Sequence, residues 1–439
     1  MSSRLLTQLI VVGLVIGVVL GYCVHVTASP EVAMRFAERM NLLPFAFLRL
    51  IKMIIAPLVF STLVVGIAKM GDIATVGRVG GKALTWFIGA SLLSLVLGLV
   101  LVQLFEPGRA LNLSLPPQEA SSGMNASGIS LQGFIEQTLP TSVIEAMSTN
   151  QILQIVVFSL FFGTAMAAMG KRGRVILVVL DAIAHVMLRV TGYVMNFAPL
   201  AVVGALASTV AEQGLGIVGV YGLFVAEFYL GLAILCGLLV LLGVLAVGPS
   251  VLRLMRGIRE PVLLAFSTAS SEAAFPRTLE ELERFGCSNK VASFVLPVGY
   301  SFNLDGSMMY CTFAIMFIAQ AYGIEVSIGQ QITMLAVLML TSKGIAGVPR
   351  ASLVVVAATL AQFNLPEAGM LLLLGIDHFL DMGRSATNVV GNSIATAVVA
   401  KWEGDLQRNV TVGCNEPVDE MNDVVDRSSA ESVEKGVNA

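Results

Sequence analysis

Residues 268–276 read TASSEAAFP, and residues 341–349 read TSKGIAGVP. Each nine-residue segment runs from Thr to Pro through small and hydroxyl-bearing residues, between apolar arms too short to cross a bilayer singly. Irregular backbone at membrane depth is tolerated only where it is buried or lines a cavity, because an unsatisfied amide in lipid costs several kcal/mol. The two segments therefore predict a pair of helical hairpins whose tips meet at an internal cavity. The alternative is two loops in a loosely packed bundle.

The composition indicates an integral membrane protein. Of the 439 residues, 56% are hydrophobic and only 13% are charged, whereas about a quarter of the residues in soluble domains are charged. The 26 basic and 29 acidic side chains nearly balance, which gives no reason to expect a nucleic acid partner. The five cysteines are scattered and lie mostly in apolar runs, so they indicate small core residues and no metal site.

Eight apolar runs are long enough to cross a bilayer, at about 20 residues per span: 5–27, 42–68, 83–105, 150–170, 175–207, 216–248, 291–322 and 370–400. Lys and Arg are concentrated in the loops that would be internal if the N-terminus is internal, so both termini are predicted to be cytoplasmic. The first hairpin then enters from the cytoplasmic side and the second from outside. Such an inverted pair of interrupted segments is typical of transporters.

A polar stripe follows the second hairpin in the segment GIDHFLDMGRSATNVVGNSIAT, residues 375–396. Its members are spaced by four, three, four and four residues, which places them on one face of a helix: Asp377, Asp381, Arg384, Asn388 and Asn392. Each ionisable group at the bilayer centre costs roughly 2.5–3.5 kcal/mol on insertion scales, so the stripe requires partners or a wet cavity. Internal pairing of Asp381 with Arg384 is one reading; a ligand-binding face is the other.

The preceding span contains a second polar motif, GYSFNLDGS, from Gly299 to Ser307. An Asn-x-Asp-Gly sequence inside an apolar helix suggests local unwinding, with Gly306 loosening the helix. Asn303 and Asp305 offer hard oxygen ligands for a small cation. The alternative is a polar kink filled by water.

The polar groups match a specific ligand. Arg384 offers a planar fork of donors for a carboxylate, and Asp381 can accept hydrogen bonds from an ammonium group. Hydroxyl and amide donors at the hairpin tips could hold a second carboxylate; they are Ser270, Ser271 and the backbone of Gly347. An α-amino dicarboxylate satisfies all three sets.

The segments TASSEAAFP, GYSFNLDGS, TSKGIAGVP and LDMGRSATNVVGN resemble the signature regions of the dicarboxylate/amino acid:cation symporter family, which includes glutamate transporters. The resemblance covers residues 4 to about 402 and is strongest to bacterial proton/glutamate symporters. It implies eight transmembrane helices and two re-entrant hairpins, about 260–288 and 331–366, in a homotrimer. A core of about 83–105 and 216–402 would slide as an elevator against a scaffold of about 1–82 and 150–212. Residues 403–439 would form a polar, disordered cytoplasmic tail.

The resemblance also implies roles for individual residues. Arg384 would bind the side-chain carboxylate of the substrate, and Asp381 its amino group. The rest of the pocket would be Ser271, Ser307, Val348, Ser385 and Asn388. The cation-site positions would be Asn303, Asp305, Asn388 and Asn392, with Gly299 in the same motif. Relatives that carry C4-dicarboxylates have a non-acidic residue at the Asp381 position, so Asp381 with Arg384 favours L-glutamate and L-aspartate.

Departures from the family pattern favour a proton over sodium as the coupling ion. Sodium-coupled relatives have an aspartate at the position of Asn392, and Tyr and Thr where this chain has Phe87 and Ala90, so oxygen ligands are lost here. Glu272 is the predicted proton carrier, because a carboxylate in a poorly solvated tip is easier to protonate. The alternative for Glu272 is a structural partner for Arg277.

The sequence therefore predicts an all-α polytopic symporter of the bacterial inner membrane that imports acidic amino acids with protons, without a further cofactor. The open alternatives are sodium coupling, a C4-dicarboxylate substrate and, from a different class, a passive ion channel. Enzyme activity is not expected, because no histidine lies near the hairpin serines in sequence and no Gly-x-Ser-x-Gly elbow occurs. Arg350, where relatives often have glycine, could aid a second carboxylate, favour another acidic substrate or face the outer mouth.

Overall fold

The computed structural model describes residues 3–70, 73–110, 135–136, 138–214, 216–341, 351–374 and 376–407. Within these ranges the chain is helical almost throughout and forms no strand; an isolated antiparallel bridge joins Cys287 to Leu406. The residues up to Leu406 pack as one unit. The expectation of an all-α fold is confirmed.

The described residues of the first half of the chain form seven long helices and two short ones. They are α1 (Ser3–Thr27), α2 (Pro30–Met70), α3 (Ile73–Phe105), α4 (Pro107–Ala110), α5 (Val143–Ser148), α6 (Ile152–Ala168), α7 (Arg174–Met195), α8 (Ala198–Gln213) and α9 (Gly216–Val247). The prediction of a single crossing at 175–207 is wrong, because the helix is interrupted between α7 and α8. Pro199 lies in the first turn of α8, where its missing N–H is tolerated, whereas its ring would clash inside a continuous helix.

The second half contains the predicted hairpins and the polar stripe. Its helices are α10 (Val251–Gly257), α11 (Arg259–Thr268), α12 (Phe275–Phe285), α13 (Asn289–Phe302), α14 (Asp305–Ala321), α15 (Ile328–Thr341), α16 (Ala351–Gln362), α17 (Met370–Leu374) and α18 (Asp377–Glu403). The run predicted at 370–400 is therefore two helices, and the longer one extends to Glu403.

Six stretches of the described helices are long and apolar enough to cross a membrane: Gln8–Thr27, Pro30–Ala68, Ala74–Arg109, Arg174–Met195, Tyr221–Val247 and Asn289–Ala321. Two of the predicted crossings are absent from this set. The helix α6 is apolar but has only 17 residues, and α18 is less apolar because it carries the polar stripe.

The first hairpin consists of α11 and α12 around the TASSEAAFP tip. Its first arm has 10 residues, which span about 15 Å and cannot cross a bilayer. Ala269 adopts the left-handed conformation with φ 49°, and a 3₁₀ turn over Glu272–Ala274 follows. Arg277 of α12 donates to Glu260 of α11 at 2.9 Å, so an ion pair holds the two arms together.

The second hairpin, like the first, has two short helices as its arms. Its arms are α15, with 14 residues, and α16, with 12 residues. The tip at 342–350 lies outside the described residues. The predicted roles of Gly347, Val348 and Arg350 concern that segment and remain predictions.

The last helix, α18, forms the centre of the second half. It contacts α3, α9, α11, α13 and α14, and most of its residues from Met382 to Ala400 are buried. This position brings the polar stripe against both the first hairpin and the GYSFNLDGS motif. A long polar face can be buried in this way because other helices surround it.

The packed unit extends past the start of the predicted tail at Glu403. Glu403 pairs with Arg78 at 3.1 Å and with Lys82 at 2.6 Å, both in α3. Asp405 pairs with Lys290 at 2.8 Å. These contacts order the chain as far as Leu406, beyond the predicted membrane-domain end at 402, because the acidic residues meet a basic surface.

Candidate functional site

Arg384 lies at the centre of the candidate site and is completely buried. Its Nη2 atom is 3.0 Å from Oδ1 of Asp377 and 3.0 Å from Oδ1 of Asp381. The guanidinium carbon lies 3.9 Å from the ring centroid of Tyr310. Two acids and an aromatic ring thus compensate one buried cation, which would otherwise be very costly. The internal pairing considered from the sequence is present.

The pairing leaves part of the guanidinium available. The Nε and Nη1 atoms of Arg384 are buried and have no hydrogen-bond partner among the described residues. These two nitrogens lie on opposite edges of the guanidinium, so each can donate separately to a carboxylate oxygen, while Nη2, which both bidentate edges share, is held by the two aspartates. Internal pairing and ligand binding are therefore compatible on this side chain.

The candidate site also contains Tyr310, which no sequence pattern indicated, and Asp377, which is predicted only as a member of the polar stripe. The Tyr310 hydroxyl donates to Oδ1 of Asp377 at 3.2 Å, and Asp377 is fully buried. Asp377 lies two turns before Arg384 on the same face, which is a signal for pairing. The signal for Tyr310 is weaker: it lies one turn after Ser307 in an otherwise apolar helix.

Asn388 joins the polar stripe to the start of α14. Its Oδ1 accepts from the backbone N–H groups of Gly306, at 2.9 Å, and Ser307, at 3.4 Å. Its Nδ2 donates to the Ser307 hydroxyl at 3.2 Å. These N–H groups lie in the first turn of α14, where no helical carbonyl can accept from them. Asn388 therefore fixes Ser307 relative to the α18 residues Arg384 and Ser385, the latter also buried.

The predicted unwinding occurs at Asn303 and Leu304, between α13 and α14. Both residues have non-helical backbone, with φ −128° and ψ 65° at Asn303 and φ −98° and ψ 65° at Leu304. Gly306 lies inside α14, so the predicted loosening at Gly306 itself is wrong. A Cβ on Gly306 would lie 2.6 Å from the carbonyl oxygen of Arg384, so this glycine permits close approach of two helices.

Three buried side chains meet at this break to form the candidate cation site. Nδ2 of Asn303 donates to Oδ2 of Asp305 at 3.0 Å and to Oδ1 of Asn392 at 3.3 Å. The Ser94 hydroxyl donates to Oδ1 of Asp305 at 3.4 Å. Asp305 is fully buried, and Oδ1 of Asn303 is buried without a hydrogen-bond partner among the described residues.

The oxygen atoms at this site belong to one carboxylate and to side-chain amides, which are hard ligands. The part of the chain that the structure describes holds no group of three or more His, Cys, Asp or Glu placed for a metal ion. A Cβ on Gly299 or Gly391 would collide with the Asn392 amide or the Asp305 carboxylate, so both glycines make room for the site. The buried ring of Phe87 lies beside Gly299, and an apolar ring supplies no oxygen ligand.

The tip of the first hairpin is buried and contributes to two spaces, a large cavity and a small apolar pocket. Thr268 and Ala269 line a cavity of about 510 Å³ together with Asp377 and Asp381. Ser270 and Ser271 follow directly and are each 6% exposed. The hydroxyl of Ser270 accepts from the N–H of Ala273 at 3.4 Å, which shapes the tip.

Glu272 lies at the small apolar pocket and is only 7% exposed. It lines a small apolar pocket with Ile55, Val59, Ile152, Phe275, Pro297 and Tyr300. Arg277, the alternative structural partner for Glu272, pairs with Glu260 and Glu280. Glu272 is not among the described residues that line the 510 Å³ cavity.

The chain is similar to known transport proteins over most of its length. The sequence model described as the sodium:dicarboxylate symporter family matches residues 6–402. The C4-dicarboxylate transport protein of Rhodospirillum rubrum is 43% identical over 371 residues, 83% of each chain. That of Burkholderia orbicola is 41% identical and covers 91% of this chain and 92% of its own. The C4-dicarboxylate transport protein 2 of Polaromonas naphthalenivorans is 42% identical, covering 89% and 86%.

Proposed function

Because the chain belongs to the sodium:dicarboxylate symporter family, a family of transporters and not of enzymes, we propose that it carries C4-dicarboxylates across the bacterial inner membrane together with a cation. The names of the relatives support this substrate class over the acidic amino acids expected from the sequence. The observation that carries the proposal is the buried Arg384, with two nitrogen atoms that have no partner among the described residues. Such a group suits one carboxylate of a dianion.

An acidic amino acid is the second candidate. Asp381 lies 3.0 Å from Arg384, and its side chain is 13% exposed. A carboxylate at this place would accept hydrogen bonds from an α-ammonium group, whereas it would repel a dicarboxylate that lacks one. L-Aspartate combines a four-carbon chain and two carboxylates with that ammonium group.

Uptake into proteoliposomes distinguishes the two candidates. We expect concentrative uptake of labelled succinate, with weaker competition by L-aspartate and L-glutamate. Replacing Asp381 with serine should improve succinate uptake and abolish any competition by L-aspartate. Efficient uptake of glutamate or aspartate without succinate uptake would overturn the first candidate and support the second. Equilibration without accumulation would instead indicate a passive channel.

The coupling ion in this proposal is the proton, with Glu272 as its carrier. Two observations support it: Glu272 is buried in an apolar pocket, and Phe87 lies beside the cation site without offering an oxygen ligand. A Glu272→Gln variant should lose the dependence of uptake on an imposed proton gradient. Glu281→Gln, in the same hairpin and paired with Arg284, is the matched control. Unchanged proton dependence in Glu272→Gln, or uptake only after addition of sodium, would contradict this assignment.

The proposed assembly is a homotrimer in which the core, with both hairpins and α18, moves as an elevator against the scaffold. We propose that both termini lie in the cytoplasm. Native mass spectrometry of the purified protein would give the mass of three chains if this is correct. A monomer or dimer would contradict it, and labelling of single cysteines added at each terminus tests the orientation.

A further inference from the structure

The short helix α10 follows directly on the membrane-spanning part of α9. The apolar stretch of α9 ends at Val247, Gly248 adopts φ 101°, and α10 begins at Val251. Glycine adopts a left-handed φ without steric cost, so the chain can leave one helix and start the next within a few residues. We therefore place α10 at the membrane boundary, between α9 and the first arm of the first hairpin, α11.

The helix α10 buries one face and exposes the other. Val251 and Leu254 are buried, whereas Leu252, Arg253 and Arg256 are exposed. At about 3.6 residues per turn, the three exposed residues lie on the side of the helix opposite the buried pair. The outer face of α10 therefore combines one apolar side chain with two guanidinium groups.

A third arginine joins this face from the start of α11. Arg259 is exposed, and its Nε donates to the carbonyl oxygen of Arg256 at 2.8 Å, which holds its guanidinium against the end of α10. None of the three arginines forms an ion pair with a described residue. We call Leu252, Arg253, Arg256 and Arg259 the α10 surface.

The acidic residues of the adjacent hairpin do not neutralise the α10 surface. Arg277 pairs with Glu260 and Glu280, and Arg284 pairs with Glu281. The side chains of Glu260, Glu280 and Glu281 are 5%, 19% and 14% exposed. The acids of the hairpin thus lie inward and are paired within it, while the arginines of the α10 surface lie outward. Their positive charge is presented to whatever borders the protein at this place.

The surface beside these arginines is apolar and exposed. On the last turns of α9, Leu241 and Leu245 are 53% and 75% exposed, and Leu252 on α10 is 50% exposed. Because α9 is long and apolar enough to cross a membrane, we expect these leucines to contact acyl chains and the arginines to lie at the level of the lipid headgroups. An apolar patch that borders a cationic one matches the two ends of an anionic phospholipid.

We propose that the α10 surface binds the phosphate group of an anionic phospholipid, with the acyl chains of the lipid along Leu241 and Leu245. Guanidinium groups match phosphate oxygens in bidentate geometry, and basic residues next to a membrane span are attracted to anionic lipids. A free phosphate ion or an acidic protein would use the charges but not the exposed leucines. The bound lipid joins the base of the first hairpin to the membrane surface, away from the substrate site.

Native mass spectrometry of the purified full-length protein in detergent tests this site. The two probes are dioleoylphosphatidylglycerol and dioleoylphosphatidylcholine, which have the same acyl chains and differ in headgroup charge. We expect the wild type to retain phosphatidylglycerol at concentrations at which it does not retain phosphatidylcholine. Arg256→Gln should weaken the binding of phosphatidylglycerol about fivefold. Replacing Arg253, Arg256 and Arg259 together with glutamine should abolish the preference for this lipid.

Arg39→Gln is the matched control, since Arg39 is an exposed arginine on α2; it should keep the wild-type preference. Inorganic phosphate at the same concentration should not displace the lipid, because it has no acyl chains to contact the leucines. Displacement by phosphate would assign the surface to a free anion and overturn the lipid site. A preference that survives in the triple variant, or an equal loss in Arg39→Gln, would also overturn it. Equal retention of the two lipids by the wild type would overturn it as well, and would leave the arginines to membrane topology or to an acidic protein partner.

Discussion

Arg384 and Asp377 form an ion pair, with 3.0 Å between Nη2 and Oδ1, in which both side chains are fully buried. They lie two turns apart on α18, so the ion pair links the first turn of the helix to the turn that carries Arg384. The pair leaves two nitrogens of the guanidinium without a partner among the described residues. It therefore fixes the orientation of the guanidinium and stabilises the helix start at the same time.

Replacing Asp377 with asparagine should destabilise the protein and weaken substrate binding. Removing one partner of a buried ion pair costs about 3–5 kcal/mol, and we expect the lower part of that range because Asp381 stays beside Arg384. The thermal midpoint of the purified protein in detergent measures this effect. Asp181→Asn, at a partly exposed pair on α7, should leave the midpoint unchanged. An unaltered midpoint in Asp377→Asn would show that Asp381 alone compensates Arg384.

Two substitutions of Tyr310 should separate its hydroxyl from its ring. Tyr310→Phe loses the hydrogen bond to Asp377 and keeps the ring under Arg384, and we expect a loss of about 1 kcal/mol, or roughly fivefold in KM. Tyr310→Leu also loses the cation–π contact, which adds about 0.5–2 kcal/mol. Uptake kinetics give both values, with Tyr193→Phe on the exposed face of α7 as the control. If Tyr310→Phe and Tyr310→Leu change KM equally, the ring contributes nothing to substrate binding.

The change Asn392→Asp should create dependence on sodium. It places a second carboxylate beside Asp305, where Asn303 bridges both positions, and two adjacent carboxylates require a cation more strongly. We expect uptake by the variant to be stimulated by sodium and uptake by the wild type to be the same with and without sodium. Asn196→Asp, at the α7–α8 break, is the control. An unchanged response to sodium would place the coupling site elsewhere.

The Glu403 ion pairs should stabilise the protein at neutral pH and fail in acid. Burial opposes the charged form of Glu403, but hydrogen bonds and attraction from Arg78 and Lys82 outweigh it, so the pKa of Glu403 is lowered from its ordinary 4.5. A carboxyl with a lowered pKa in the folded protein stabilises it above that ordinary value, and the stabilisation is lost as the pH falls through the lowered pKa.

The measurement is the thermal midpoint of wild type and Glu403→Gln as a function of pH. The variant should melt a few degrees below the wild type at pH 7, and the difference should shrink as the pH falls below about 4.5. Glu145→Gln, on the short helix α5, serves as the control for a carboxyl elsewhere. A difference in thermal midpoint that increases as the pH falls would contradict this mechanism.

Much of the architecture could be predicted from the sequence because it depends on local patterns. Long apolar runs predict helices, and the small residues and the proline of TASSEAAFP predict a hairpin tip, which the structure places in buried, irregular backbone. Hydrophobicity alone does not reveal the division of 175–207 into two helices, whereas Pro199 indicates a break there. From Asp381, the sequence predicts an acidic amino acid as the substrate. The overall similarity favours C4-dicarboxylates instead, since the relatives are named for them.

The polar face of α18 follows from the sequence alone, because the spacing of Asp377, Arg384 and Asn388 is a property of one helix. The contacts that this face makes depend on how the other helices pack against it. The ring of Tyr310 against Arg384, and the hydrogen bond from Asn303 to Asn392, join residues far apart in the chain. Their side chains meet because the helices pack at particular angles and distances, and that packing is a sum of many apolar contacts that no short segment specifies.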